Sequence, residues 1–203
     1  MPDPASTLLL ALHSCTERFG VAVQGADDTH PDPRVAVFDD GRGLSNSLID
    51  RVDALLPRSR WSELQGIAVA TGPGGFTGTR LSVVMARTLA QQLGCPLLGI
   101  SSFAVMAQRL HTGEQPFWIT QLLPRRGVVA GQYRVDADGV LELRPPHLLD
   151  DGDVVTPAIS EHPNVEADVA CLLTVLQHRL AQGEPMPWQP VLPIYPTSPV
   201  GPV

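Results

Sequence analysis

One stretch of this chain gathers the residue types that build ligand loops: Gly72-Pro73-Gly74-Gly75-Phe76-Thr77-Gly78-Thr79-Arg80. The apolar run Gly66 to Ala70 leads into it, and the apolar helical run Leu81 to Leu93 leads out. Four glycines and a proline therefore sit at a strand-to-helix junction. Glycine serves where the backbone needs positive φ or must come close to another group. A helix N-terminus there presents free N–H groups and the positive end of the helix dipole, which together hold an anion. A tight turn that lays the helix flat on a sheet uses the same residues, and the letters leave both readings open.

Specific phosphate motifs fail on the letters. A P-loop needs lysine after its last glycine, but Gly78 is followed by Thr79. The chain contains no lysine: all 14 basic residues are arginine. That removes P-loop NTPases, the protein-kinase lysine and pyridoxal-phosphate Schiff bases together. The dinucleotide fingerprint fails because Thr77 stands where its third glycine belongs.

No other constellation carries chemistry. The histidines His13, His30, His111, His147, His162 and His178 show no i, i+4 pairing and no cysteine at ligand spacing, so no metal site is expected. Cys15, Cys95 and Cys171 are scattered and read as reduced core thiols. Ser14, Ser101 and Ser102 lack a nucleophile signature. Asp150-Asp151-Gly152-Asp153 reads as a solvated turn. Asp27, Asp28 and Asp32 read as a solubilising loop. Arg125-Arg126 is a small basic patch on a chain of net charge −7. No catalytic residue is assigned.

The elements that must position these residues follow from periodicity. Leu8 to Leu12, Phe19 to Gln24 and Val35 to Phe38 read as strands, and Leu44 to Leu56 as an amphipathic helix ended by Pro57. Gly66 to Ala70, the glycine-loop helix ending at Gly94, and Leu97 to Ile100 then form a strand–helix–strand unit with parallel strands. Beyond it, Ser102 to Leu110 reads as helix and Phe117 to Leu123 and Val128 to Val135 as strands. Asp138-Gly139 turns into Val140 to Leu143, and Asn164 caps a helix over Val165 to Leu180. A proline-rich tail follows from Gly183. The pattern predicts an α/β protein with a mixed sheet. The domain reading is a lobe over 1–101, a smaller lobe over 102–182 and a tail over 183–203.

Composition sets further bounds. With 203 residues and 43% hydrophobic residues, the chain is long enough for one large domain or two small lobes. An acidic chain does not bind nucleic acid unaided. No apolar run reaches membrane-spanning length. The opening MPDPAST lacks a positive n-region and is not read as a secretory leader, so a cytoplasmic protein is expected.

The segment GPGGFTGTR, preceded by IAVATG, closely resembles the signature of the TsaB (YeaZ) family, whose members act in tRNA threonylcarbamoyladenosine biosynthesis in bacteria. LLLALHSCTERFGVAV (Leu8 to Val23) resembles that family's opening hairpin, and Leu97 to Phe103 its strand after the glycine-loop helix. Leu123-Pro124-Arg125-Arg126-Gly127-Val128-Val129 is similar, more weakly, to its Asp-Ala-Arg-Arg-Gly-Glu-Val segment. The resemblance covers about two thirds of the chain. It implies two RNase H-like lobes in the actin/sugar-kinase (ASKHA) arrangement, mixed sheets flanked by helices, with the second lobe reduced. It also implies a non-catalytic subunit that activates the transferase TsaD, with the ATPase TsaE in the same machinery and tRNA met only through the complex. The first strand ends in His13, where ATP-handling ASKHA enzymes usually carry an aspartate. The resemblance therefore implies no cofactor of the chain's own, with ATP or ADP a candidate at the joint interface and Gly72 to Gly78 and Arg80 near it.

A candidate interface follows from helical spacing. Gly78, Ser82, Ala86 and Ala90 form a stripe of small residues on the glycine-loop helix, beside Leu81, Met85 and Leu89, and the preceding helix offers Leu44, Leu48, Val52 and Leu55. Two such helices either cover their own sheet or pair with two helices of another subunit. The resemblance assigns the second role, through helices 44–56 and 79–93 toward TsaD. Two competing readings are an ASKHA-type enzyme (peptidase or phosphotransferase), which needs an activating group not found here, and a homodimeric scaffold using the same helices.

Overall fold

The computed structural model describes residues 7–25, 33–110, 113 and 115–197. Asp27, Asp28, Asp32, His30 and His111, the opening heptad up to Ser6, and residues 198–203 of the tail lie outside the described residues.

The first lobe is a five-stranded sheet in the order β3-β2-β1-β4-β5. Strands β1 (Leu9–His13), β2 (Phe19–Gln24) and β3 (Arg34–Phe38) form an antiparallel meander. β4 (Gly66–Ala70) and β5 (Leu97–Ile100) add to it in parallel, with Leu9 opposite Gly66 and Ile67 opposite Leu97. β1 and β4 are buried along their whole length because helices cover both faces, which is why they read as unbroken apolar runs.

On one face lie α1 (Leu44–Leu55) and α2 (Phe76–Leu93). α1 follows a short 3-10 turn at Gly41–Gly43 and stops before Pro57. Gly94, at φ 65°, caps α2 in the left-handed conformation that the sequence called for. α2 starts at Phe76, not near Thr79, so Thr77 and Gly78 belong to its first turn and the loop shrinks to Gly72–Gly75.

The second sheet has the order β8-β7-β6-β9. β6 (Phe117–Leu123), β7 (Gly127–Asp136) and β8 (Gly139–Leu148) are antiparallel, and the three-residue β9 (Ala158–Ser160) pairs in parallel with β6. β9 is too short to leave a period in the sequence, and β8 runs five residues beyond Leu143 through Pro145 and Pro146 on the sheet's edge.

Between the two sheets lie α3 (Ser102–Leu110) and α4 (Val165–Ala181). Asn164 caps α4 as expected: its side-chain oxygen accepts the Ala167 N–H at 3.2 Å. α4, assigned by sequence to the lobe over 102–182, packs on the first sheet. Its Val169, Leu172, Leu173 and Leu176 are buried among Leu9, Ala11, Ala22 and Ala68, each contributing roughly 1.5–3 kcal/mol by burial. The second sheet packs instead on α3, through Phe103, Met106, Phe117, Ile119 and Tyr133. The segment from Gly183 to Thr197 lies against the first lobe, with Val191 and Trp188 on its core. The architecture is mixed α/β, with two mixed sheets flanked by helices.

Candidate functional site: the glycine loop, the inter-lobe cleft and the paired helices

The glycine loop is a packing joint. A Cβ on Gly74 would stand 2.0 Å from the Cys15 carbonyl oxygen, and one on Gly78 2.7 Å from the Ser14 oxygen. The Gly75 N–H donates to the Cys15 carbonyl at 2.8 Å. Ser14 Oγ donates to the Gly78 carbonyl at 2.8 Å and meets Ser82 Oγ at 2.7 Å. The loop and the first turns of α2 are thus pressed against the β1–β2 turn. Of the two readings left open by sequence, the packing turn accounts for Gly74 and Gly78.

A cleft of about 610 Å³ opens between the lobes, bounded by His13, Cys15, Gly74, Phe103, Glu161 and Tyr195. Pro73, Gly75 and Phe76 of the loop and Leu123, Pro124 and Arg126 of the β6–β7 hairpin also reach it, so two separated sequence motifs converge. Arg125, at φ 65°, sits in the hairpin turn itself. The cleft's charge is mainly acidic: Glu17, Glu161 and Asp168 line it, against Arg126. Asp168 is buried and paired with Arg109 at 2.7 Å, and it also accepts the Asn164 N–H. Burial pushes Glu161 up, and Gln121 donates to it at 2.9 Å.

His13 ends β1 at the floor of the cleft. It is buried, and its Nδ1 has no hydrogen-bond partner. Burial holds its pKa below the ordinary 6.5, against the opposing pull of Asp168. The ring is therefore neutral near pH 7 when folded, and protons favour the unfolded chain below about pH 6.5. Relative to a His13→Gln variant, wild-type stability should fall by up to about 1.4 kcal/mol per pH unit as the pH drops below about 6.5. Urea unfolding of both proteins at pH 7.5 and 5.0 checks this; a constant difference contradicts it.

These residues do not fit a magnesium–polyphosphate inside the chain. The first strand ends in a buried imidazole rather than a carboxylate, Gly74 and Gly78 are pressed on Cys15 and Ser14, and the carboxylates of the cleft walls repel phosphate. Among the described residues no three His, Cys, Asp or Glu gather in a metal-holding group. Cys15 is buried and its thiol is pushed up to about 11, the state of a core thiol. Cys95 and Cys171 are half-buried against the cores. The turn at Asp150-Asp151-Gly152-Asp153 is exposed and closed by the Asp153 N–H to the Asp150 carbonyl. Among the described residues no helix is long and apolar enough to cross a membrane.

The candidate interface divides in two. Leu44, Leu48, Val52, Ser82 and Ala86 are buried in the chain's own core. Gly78, half-buried, is pressed on Ser14. The small-residue stripe therefore brings α2 onto its own sheet, and these positions offer nothing to a partner. Leu55, Leu81, Met85 and Leu89 are half-buried at the edge of that core. Ile49, which helical spacing sets beside the stripe of α1, and Val84, which it leaves out, are 49% and 53% exposed on α1 and α2. Arg80 and Thr77 are exposed on the first turns of α2. Asp168 and its Arg109 partner were also missed. Asp168 falls three residues after Val165 and four before Leu172, on the buried face of α4, and a carboxylate at such a position signals a buried partner.

Comparisons with known proteins cover part of the chain in sequence and nearly all of it in fold. Residues 41–134 match a family model described as TsaD, tRNA N6-adenosine threonylcarbamoyltransferase. Two relatives named tRNA threonylcarbamoyladenosine biosynthesis protein TsaB align locally. That of Buchnera aphidicola subsp. Schizaphis graminum is 40% identical over 47 residues, 23% of this chain and 22% of the relative. That of Bacillus subtilis is 44% identical over 45 residues, 22% of this chain and 20% of the relative. The match thus spans about a fifth of the length of these curated relatives. A Pseudomonas aeruginosa structure described as similar to peptidase YEAZ superposes with TM-score 0.74 at 23% identity, covering 94% of this chain and all of that one. YeaZ from the same organism gives 0.73 at 22%, covering 93% and 99%. The chain is thus similar over part of its length to the TsaD family model and to relatives named TsaB, and along nearly its whole length it has the fold of YeaZ.

Proposed function

We propose that this chain is a non-catalytic subunit of the cytoplasmic tRNA threonylcarbamoyladenosine machinery, which binds and activates the transferase TsaD. The observation that carries the reading is the apolar surface left on α1 and α2 after the core is filled: Ile49 and Val84 are exposed, and Leu55, Leu81, Met85 and Leu89 on the same two helices are half-buried. Two neighbouring helices with such a surface suit a four-helix joint with another subunit. The names of the matched relatives support the pathway. The acidic charge supports contact with tRNA only through the assembly, and TsaE joins as a further component. ATP or ADP, where it binds, takes its phosphate contacts from the partner side of the joint, because Gly74 and Gly78 of the chain's own loop are pressed on the β1–β2 turn. The same face closes a homodimer when TsaD is absent. The test is co-elution at micromolar concentration with the TsaD homologue of the same genome, together with its threonylcarbamoyl transfer to tRNA. A stable complex and faster transfer are expected; neither complex nor stimulation overturns the reading.

A further inference from the structure

The proline-rich segment after α4 is bound along its length. The Leu97 N–H of edge strand β5 donates to the Met186 carbonyl at 2.9 Å. Arg87, in the middle of α2, donates from Nη1 to the carbonyls of Gln189 and Val191, and its guanidinium lies 5.3 Å from the Trp188 ring centre. Val191 is buried over Gly99, where a Cβ would stand 2.5 Å from Val191 Cγ1. The Ile194 N–H donates to the Thr71 carbonyl at 2.7 Å, just before the glycine loop. The Tyr195 and Phe76 rings lie 4.8 Å apart, and Phe76 is the first residue of α2. Ile194 to Thr197 wall the cleft, and Arg126 of the second lobe reaches Thr197 Oγ1 at 3.5 Å.

A segment that only covered the β5 edge would need none of the contacts to α2. Here one strap holds α2 at its first residue and again at Arg87, eleven positions on, while it touches both lobes at the cleft. We infer that residues 183–197 form a latch that fixes the pose of α2 and, with it, the apolar surface on the helix's outer side. Arg87 and Tyr195 are its positioning residues. Tyr195 lies off both helices, and the Arg87 guanidinium is turned to the strap. The latch's effect on partner binding rests on the proposed function; its hold on α2 does not.

The experiment is amide hydrogen exchange on the full chain, with Arg87→Gln and Tyr195→Ala combined, beside measured affinity for the TsaD homologue. Exchange over Thr79 to Val83 and at Ile194 should quicken at least tenfold, while β1 and β4 keep wild-type protection. Affinity should fall at least fivefold. Arg87→Lys, which keeps a cation over Trp188, should recover part of the protection. Unchanged exchange over α2 overturns the latch, as does loss of protection spread evenly over β1, β4 and α2. If α2 loosens as expected but wild-type chain binds no TsaD, the latch stands and the proposed function falls.

Discussion

Gly74→Ala should cost this protein about 3 kcal/mol or more, whereas a serine one position later should cost nothing. A Cβ at residue 74 would stand 2.0 Å from the carbonyl oxygen of Cys15 and 2.6 Å from its Cβ. Those atoms belong to the backbone and to the root of a buried side chain, so neither can swing aside. The loop or the β1–β2 turn must move, and both are fixed by the Gly75 N–H to Cys15 bond and by the Ser14 contacts with Gly78 and Ser82. Overpacking of this kind costs typically about 1–3 kcal/mol, and more where backbone is the obstacle. For a chain of this size that is roughly 6–12 °C of melting temperature. Gly75 is the contrast: the nearest atom to its added Cβ is 3.8 Å away, and the residue is the N-cap of α2. Gly75→Ser should keep stability or raise it by about a few tenths of a kcal/mol, because serine caps helices well. Thermal unfolding of both variants decides it. If Gly74→Ala melts with wild type, the close approach of the loop to Cys15 is wrong, and an anion-binding role for the glycines reopens.

The consequence reaches past stability. A glycine-rich strand-to-helix loop invites a phosphate reading, and the letters do not separate a loop that approaches a ligand from one that approaches its own backbone. Only the tertiary neighbour does. Cys15 is nearly sixty residues earlier, and nothing local to Gly72–Gly78 announces it. The same limit governed the helices. Periodicity correctly selected the apolar faces of α1 and α2, and Gly94 and Asn164 correctly marked helix ends. Periodicity says which residues are apolar together, however, and not what they face. The regular stripe of Leu44, Leu48 and Val52 was regular because it belongs to the core. Ile49 and Val84 break that stripe, and such an off-face apolar residue is the signal left for a partner.

Other losses have different causes. α4 was assigned to the second lobe by order along the chain, but its apolar face is complementary to the small residues Ala11, Ala22 and Ala68 of the first sheet. The strap after α4 has no period, because proline-rich chain makes its contacts through carbonyls and isolated side chains. Its partners at Arg87, Gly99 and Phe76 are about a hundred residues away. The residue at the end of β1 was legible: His13 sits where the sequence put it, and burial keeps it neutral.

Ile49→Asp and Val84→Asp, made together, should weaken binding of the TsaD homologue by 100-fold or more while leaving the chain folded. Both side chains already face solvent, so a carboxylate there pays no desolvation in the free chain. In a complex, each charge would be buried against an apolar partner surface without a cation. That opposition is worth several kcal/mol, and a 100-fold loss is about 2.7 kcal/mol. Leu48→Asp, by contrast, is no test of binding. Leu48 is 7% exposed in the core with Val52 and Val83, and a carboxylate there unfolds the lobe before any partner is asked. Isothermal titration with circular dichroism of each free variant separates the cases. Folded Ile49→Asp/Val84→Asp protein that still binds like wild type would move the joint off α1 and α2 altogether. Loss of binding with intact spectra would fix it there. Should the wild-type chain form a homodimer on its own, these same two charges should dissolve it, because one surface cannot serve two partners at once.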